Sequence, residues 1–169
     1  MGCKGELVMK LFSFLVFFAV AAFAASFASE FNSDGWYVVS NRPSWTPSER
    51  IFELLWAISY LLMAIAAFQV WQERHPLSPR SIGWWLGLLG LNVAWSWLFF
   101  GLHSPGLALI EMSILLIVLS ATIRLFWRVK RSAASLLTPY LMWLSFVWIL
   151  NLAIWWLNGS GLKITEFFH

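Results

Sequence analysis

Charge is scarce in this chain. Asp, Glu, Lys and Arg make up 11% of its 169 residues while 60% are hydrophobic, and a soluble domain of that length could not coat itself with so little polar surface. Cysteine is nearly absent: the single Cys3 excludes an internal disulfide, and neither it nor the scattered His75, His103 and His169 shows metal-ligand spacing. No metal site is expected. There is no run of Lys and Arg interleaved with aromatics, so nucleic acid is not an expected partner. No nucleophile–base pair or phosphate loop is visible, which leaves standard side-chain catalysis without support. Glu6 stands where a myristoyl acceptor sequence starting at Gly2 wants Ser or Thr, so no lipid anchor is expected.

What the chain has is long apolar runs. A helix needs about 20 apolar residues to cross a hydrocarbon layer of roughly 30 Å. Five stretches qualify, at about 7–28, 50–71, 82–100, 106–127 and 136–157. They are continuous rather than alternating, which favours helices over a lipid-facing barrel. The expected fold is all-α, an integral membrane bundle of five transmembrane helices forming one domain over 1–169. The first stretch has a rival reading as a signal peptide, with Lys4 and Lys10 before it and Ala22-Phe23-Ala24 resembling a cleavage site. Its apolar run is long for a signal core and right for a span.

The breaks carry turn chemistry. Asn32-Ser33-Asp34-Gly35 closes the first span. Arg42-Pro43-Ser44-Trp45-Thr46-Pro47 makes the longest connection, and Ser48 is a candidate cap for the second helix. His75 to Pro79 separates spans two and three, His103 to Gly106 makes a tight turn, and Arg128 to Ser135 joins spans four and five. With five spans, eight of the eleven Lys and Arg fall on the side of the N-terminus and three (Arg42, Arg50, Lys163) on the other. That bias predicts a cytoplasmic N-terminus, with the long connection and the C-terminus outside.

Thirteen tryptophans are too many for two headgroup belts, and several lie in mid-span. Trp36-Tyr37 and Trp45 sit in the first connection, as an aromatic lid or as a belt loop. Asn92, Trp95 and Phe99 follow i, i+3, i+7 in the third span; Trp143, Val147 and Asn151 follow i, i+4, i+8 in the fifth, after Pro139-Tyr140. Each stripe suits either ligand contact or interhelical packing. Glu53 is one turn from Trp56, facing a cavity or serving the helix start. Glu111 is the deepest acid of the fourth span, paired inside the bundle or lining a polar cavity. Arg124 is close enough to a helix end to snorkel. Gly83, Gly87 and Gly90 form a small-residue ridge for a homodimer or for internal packing, the dimer being favoured.

Taken in order, these residues resemble the translocator protein / tryptophan-rich sensory protein family (TspO/MBR). The likeness rests on Trp36-Tyr37, Arg42-Pro43-Ser44-Trp45-Thr46-Pro47, Trp56, Leu91-Asn92-Val93-Ala94-Trp95, Phe99-Phe100-Gly101, Pro139-Tyr140-Leu141-Met142-Trp143 and Leu150-Asn151. It implies five helices around a pocket open toward the first connection, binding protoporphyrin IX, haem or synthetic aromatics. The positions it assigns to the pocket are Tyr37, Trp45, Trp56, Asn92, Trp95, Trp143, Val147 and Leu150. It also implies dimers through the glycine face of the third helix and, in some bacterial members, light-dependent porphyrin degradation involving the positions of Trp56 and Trp143. Animal members bind cholesterol through a Leu/Val–Tyr–Lys/Arg pattern at the end of the fifth helix. Here Trp148, Trp155 and Trp156 follow Val147 with no Tyr or nearby basic residue, so that route is doubtful.

The expected function is therefore a membrane sensor or transporter that takes a tetrapyrrole as ligand and requires no cofactor. The expected partners are a porphyrin or haem-like molecule, the lipid bilayer and a second copy of the chain. The alternatives are a light-dependent porphyrin-degrading enzyme and a membrane scaffold acting through its dimer face.

Overall fold

In lipid every backbone N–H and C=O must find its partner within the protein, and the helix does this within a single segment. The computed structural model describes residues 2–30, 37 and 40–159. Its helices are α1 (Gly2–Ser29), α2 (Glu49–Gln72), α3 (Ser78–Ser96), α4 (Pro105–Val129) and α5 (Arg131–Leu157), with a π-helical turn, Trp97–Gly101, continuing α3. The described residues contain no strand. All five helices are long and apolar enough to cross a membrane, as expected from the sequence.

The helices form a closed ring in the order α1, α2, α5, α4, α3, with α2 and α3 also touching across it. α1 joins through Phe17, Ala21, Ala24 and Ala28, spaced to share one face. The Phe17 ring meets Trp85 edge-on at 5.4 Å, and Ser96 Oγ donates to the Ala28 carbonyl at 2.9 Å. This is the packing of a bundle member, which the signal-peptide reading does not anticipate.

Several boundaries differ from expectation, for one reason: apolar runs mark the hydrocarbon layer, and helices extend past it. The expected Arg128–Ser135 connection contracts to Lys130, whose extended backbone (φ −153°, ψ 115°) separates α4 from α5. There Lys130 Nζ lies 2.7 Å from Glu73 Oε1, and Ser132 Oγ donates to Gln69 Oε1 at 2.8 Å. Pro79 and Pro105 fall in the first turns of α3 and α4, where a missing N–H leaves no bond unmade. Ser78 thus belongs to α3 rather than to a separator, and its Oγ donates to the Val70 carbonyl. Ser48 occupies the N-cap of α2 without a side-chain cap bond. Pro139 lies inside α5, which runs through it. The Asn32–Gly35 turn and Trp36 lie outside the described residues.

Gly83, Gly87 and Gly90 face outward, and a Cβ built on any of them meets nothing within 4 Å. Among the described residues, the ridge therefore takes no part in packing within the chain. Glu111 is buried in α4, and neither carboxylate oxygen has a hydrogen-bond partner among the described residues.

Candidate functional site

The long connection is folded on itself and fastened to the bundle. Thr46 bonds the Pro43 carbonyl through both its N–H (3.1 Å) and its hydroxyl (2.7 Å), closing the Pro–Pro segment. The Asn41 N–H donates to Asn158 Oδ1, and Asn158 Nδ2 donates back to the Asn41 carbonyl, both at 2.9 Å. This reciprocal pair ties the connection to the end of α5.

Aromatic rings lead from the connection into the bundle. Trp45, half exposed, meets Phe146 edge-on at 5.7 Å. Phe146 stacks on Trp143 (5.5 Å), Trp143 meets Phe52 edge-on (5.4 Å), and Phe52 meets Trp56 (6.3 Å). Trp56 stacks on Trp95 (5.6 Å, 26°), and Trp95 stacks on Phe99 (5.3 Å, 23°). Phe99 and Tyr37 meet at 6.0 Å, and the Arg42 guanidinium lies 4.7 Å from the Tyr37 ring centre. Burial pushes the Tyr37 phenol above its ordinary range, while the nearby Arg42 pulls it down. The π-helical turn explains why Phe99 and Phe100, consecutive residues, are both buried: widening the helix there turns both rings inward.

Polar groups hold this arrangement. Trp95 Nε1 donates to Asn151 Oδ1 at 3.1 Å, and Asn151 Nδ2 donates to the Pro105 carbonyl at 2.7 Å. Tyr140 Oη donates to Asn92 Oδ1 at 2.7 Å, and Asn92 Nδ2 donates to the Leu88 carbonyl. The Asn92 amide, expected beside a ligand, is thus engaged at both ends.

The expected slot is divided. On one side of Trp95 is a cavity of about 190 Å³ between α1, α2 and α3, lined by Trp56, Asn92 and Trp95 together with Phe52, Glu53, Tyr60 and small residues of α1. On the other side Tyr37, Val147 and Leu150 line a crevice of only about 10 Å³. Trp143 lines neither and reaches Trp56 through Phe52; Trp45 lies at the outer end of the ring series. Trp56, Trp95 and Trp143 therefore converge from three helices, with the protein's own rings filling the space between Trp95 and α5. Arg42 and Arg50 line a separate open groove of about 740 Å³ under the connection, beside Glu49.

Phe52, Tyr60 and Phe146 were not singled out in the sequence. Their spacing held the signal: Phe52 and Tyr60 are one turn either side of Trp56, and Phe146 is one turn after Trp143.

Residues 13–157 match the profile of the TspO/MBR family. The chain is 30% identical to Protein CrtK of Rhodobacter capsulatus, over 93% of this chain and 99% of that one. It is 34% identical to the Translocator protein of Bos taurus, over 78% and 81%. With the Tryptophan-rich sensory protein of Cereibacter sphaeroides it shares 30% identity over 87% and 92%.

Proposed function

Because this chain belongs to the TspO/MBR family, we propose that it is a membrane sensor or transporter that binds a tetrapyrrole between α2, α3 and α5. The observation that carries this reading is the unbroken series of rings from Trp45 through Trp143 and Trp56 to Trp95. A porphyrin is a flat apolar disc, and stacked or edge-on indoles suit its faces. Its carboxylates suit Arg42 and Arg50 at the connection. Ligand pockets for drug-sized molecules span about 300–1,000 Å³, so the disc requires Trp95 to swing from its bond with Asn151 and merge cavity and crevice.

The test is quenching of tryptophan fluorescence by protoporphyrin IX in purified, detergent-solubilised protein. Saturable quenching is expected, weakened in both Trp56→Ala and Trp143→Ala. Unsaturable quenching, or an affinity in both variants equal to that of the unmodified protein, refutes the reading. Arg42→Ala and Arg50→Ala are expected to weaken binding in a salt-dependent way.

One observation favours a light-dependent enzyme as the second reading. Trp143 Nε1 is buried without a hydrogen-bond partner among the described residues, beside rings close enough to relay an electron. Under illumination, a defined porphyrin product that disappears in Trp143→Phe favours it; simple bleaching retained in that variant does not. Pairing of two copies through Gly83, Gly87 and Gly90 fits their outward, unobstructed position, and a cytoplasmic N-terminus fits the charge bias.

A further inference from the structure

The cavity between α1, α2 and α3 carries a charge that the tetrapyrrole reading does not use. Glu53 stands on its wall, exposed, with no ion pair or hydrogen bond among the described residues. Arg50, one turn earlier, lines the groove under the connection and makes no ion pair with it. The same cavity is lined by π-electron surface: Trp56, one turn after Glu53 on α2, stacked on Trp95 of α3. The remaining polar wall groups are largely spent: Asn92 on Leu88 and Tyr140, Trp95 on Asn151, Ser96 on Ala28. Tyr60 adds a hydroxyl for which no described residue is a partner.

A carboxylate and two indole rings lining one cavity are matched by one kind of ligand: a cation on an apolar body. The ammonium gains a charge-assisted hydrogen bond from the carboxylate and a cation–π attraction from the ring faces. An anion meets repulsion from both. At about 190 Å³ the cavity suits a body much smaller than a macrocycle. We infer that this cavity binds small arylalkyl monoamines as cations, with the ammonium on Glu53 and the apolar body against Trp56 and Trp95. The site separates two chemistries within one bundle: carboxylates at Arg42 and Arg50, amines at Glu53.

The test compares phenethylammonium, its neutral counterpart 2-phenylethanol and its anionic counterpart phenylacetate, by isothermal titration calorimetry on the full chain in maltoside detergent. The expected order is cation above neutral above anion. Glu53→Gln keeps the shape of an exposed side chain and is expected to weaken phenethylammonium by about tenfold or more, leaving 2-phenylethanol nearly unchanged. Ala57→Leu, which narrows the cavity from α2, is expected to weaken both. Equal binding of cation and neutral counterpart by the unmodified protein, or an unaltered preference in Glu53→Gln, overturns the proposal. Loss of porphyrin quenching in the Trp143→Ala protein bears on the tetrapyrrole reading alone, because Trp143 does not line this cavity.

Discussion

The two ends of the bundle are built differently. Toward the α2–α3 turn and the α4–α5 joint, the interior is mostly aliphatic and small: Met63, Ala64, Ala67, Val70, Leu88, Leu119, Ala133, Ala134 and Leu137 are fully buried, with Trp85 and Phe126 as the large rings among them. Toward the long connection it is made of rings cross-linked by Asn92, Tyr140, Trp95 and Asn151, with a cavity beside them. Inside lipid, helices gain little from hydrophobic transfer between themselves, so close van der Waals packing holds them together. Small side chains let backbones approach; large rings hold them apart and leave gaps. Rigidity thus belongs to one end and adaptability to the other, and a ligand requiring Trp95 to move can be accommodated only at the second.

The largest expected effect breaks the rigid end. Leu119→Ala removes a fully buried side chain from α4 and is expected to cost about 2–5 kcal/mol, the range for cavities that do not collapse. A thermal melt in detergent followed by circular dichroism measures it. Protoporphyrin affinity of the folded fraction should stay as it was; a parallel loss of affinity means the two ends are not independent.

Next comes the bond that holds the ring-lined end. Tyr140→Phe deletes the donor to Asn92 Oδ1 and leaves a buried acceptor unmatched, a loss of about 1–3 kcal/mol. Adding Asn92→Leu, which removes the orphaned acceptor, should recover part of it. Absence of any recovery would show that Asn92 serves another partner.

That hydrogen bond also shows what the sequence hides. Five spans were legible because crossing lipid demands length and apolarity, and both can be counted. The stripe Asn92, Trp95, Phe99 was legible because helical spacing fixes which side chains share a face. The partners of that stripe were not: that Asn92 Oδ1 accepts a hydrogen bond from Tyr140, 48 residues away, and that Trp95 donates one to Asn151, 56 away, depends on how α5 is rotated against α3. The π-helical turn was equally hidden, since Trp97 to Gly101 reads as ordinary helix. Helix ends were misplaced because Arg131 to Ser135, too short of apolar residues to read as part of a span, extend α5 beyond the apolar run.

A smaller effect is expected where the connection is latched. Asn158→Ala removes both bonds to Asn41, yet these are exposed and water replaces them, so stability should fall by about 1 kcal/mol or less. The rate is the sharper measurement. If the latch closes the ring-lined end, stopped-flow quenching should show porphyrin leaving faster, with the larger change in dissociation rather than association. Unchanged dissociation would mean the ligand leaves by another path, the cavity between α1, α2 and α3 beside Glu53 being the next to block.

The smallest effect on the fold itself is expected at Gly87. A Cβ there meets nothing within 4 Å, so Gly87→Ala is free of clash and removes the conformational cost of glycine in a helix, a gain of about 0.5–1 kcal/mol for the single chain. A second copy seated on the ridge reverses that sign, because close backbone approach through Gly83 and Gly87 leaves no room for methyl groups. Thermal midpoints at increasing protein-to-detergent dilution, read beside multi-angle light scattering, therefore discriminate. A stabilised variant at every dilution indicates that both ends of the bundle are complete within one chain. A variant that is stabilised only when dilute, and shifts to lower mass when concentrated, indicates that the glycine face carries packing shared between two copies.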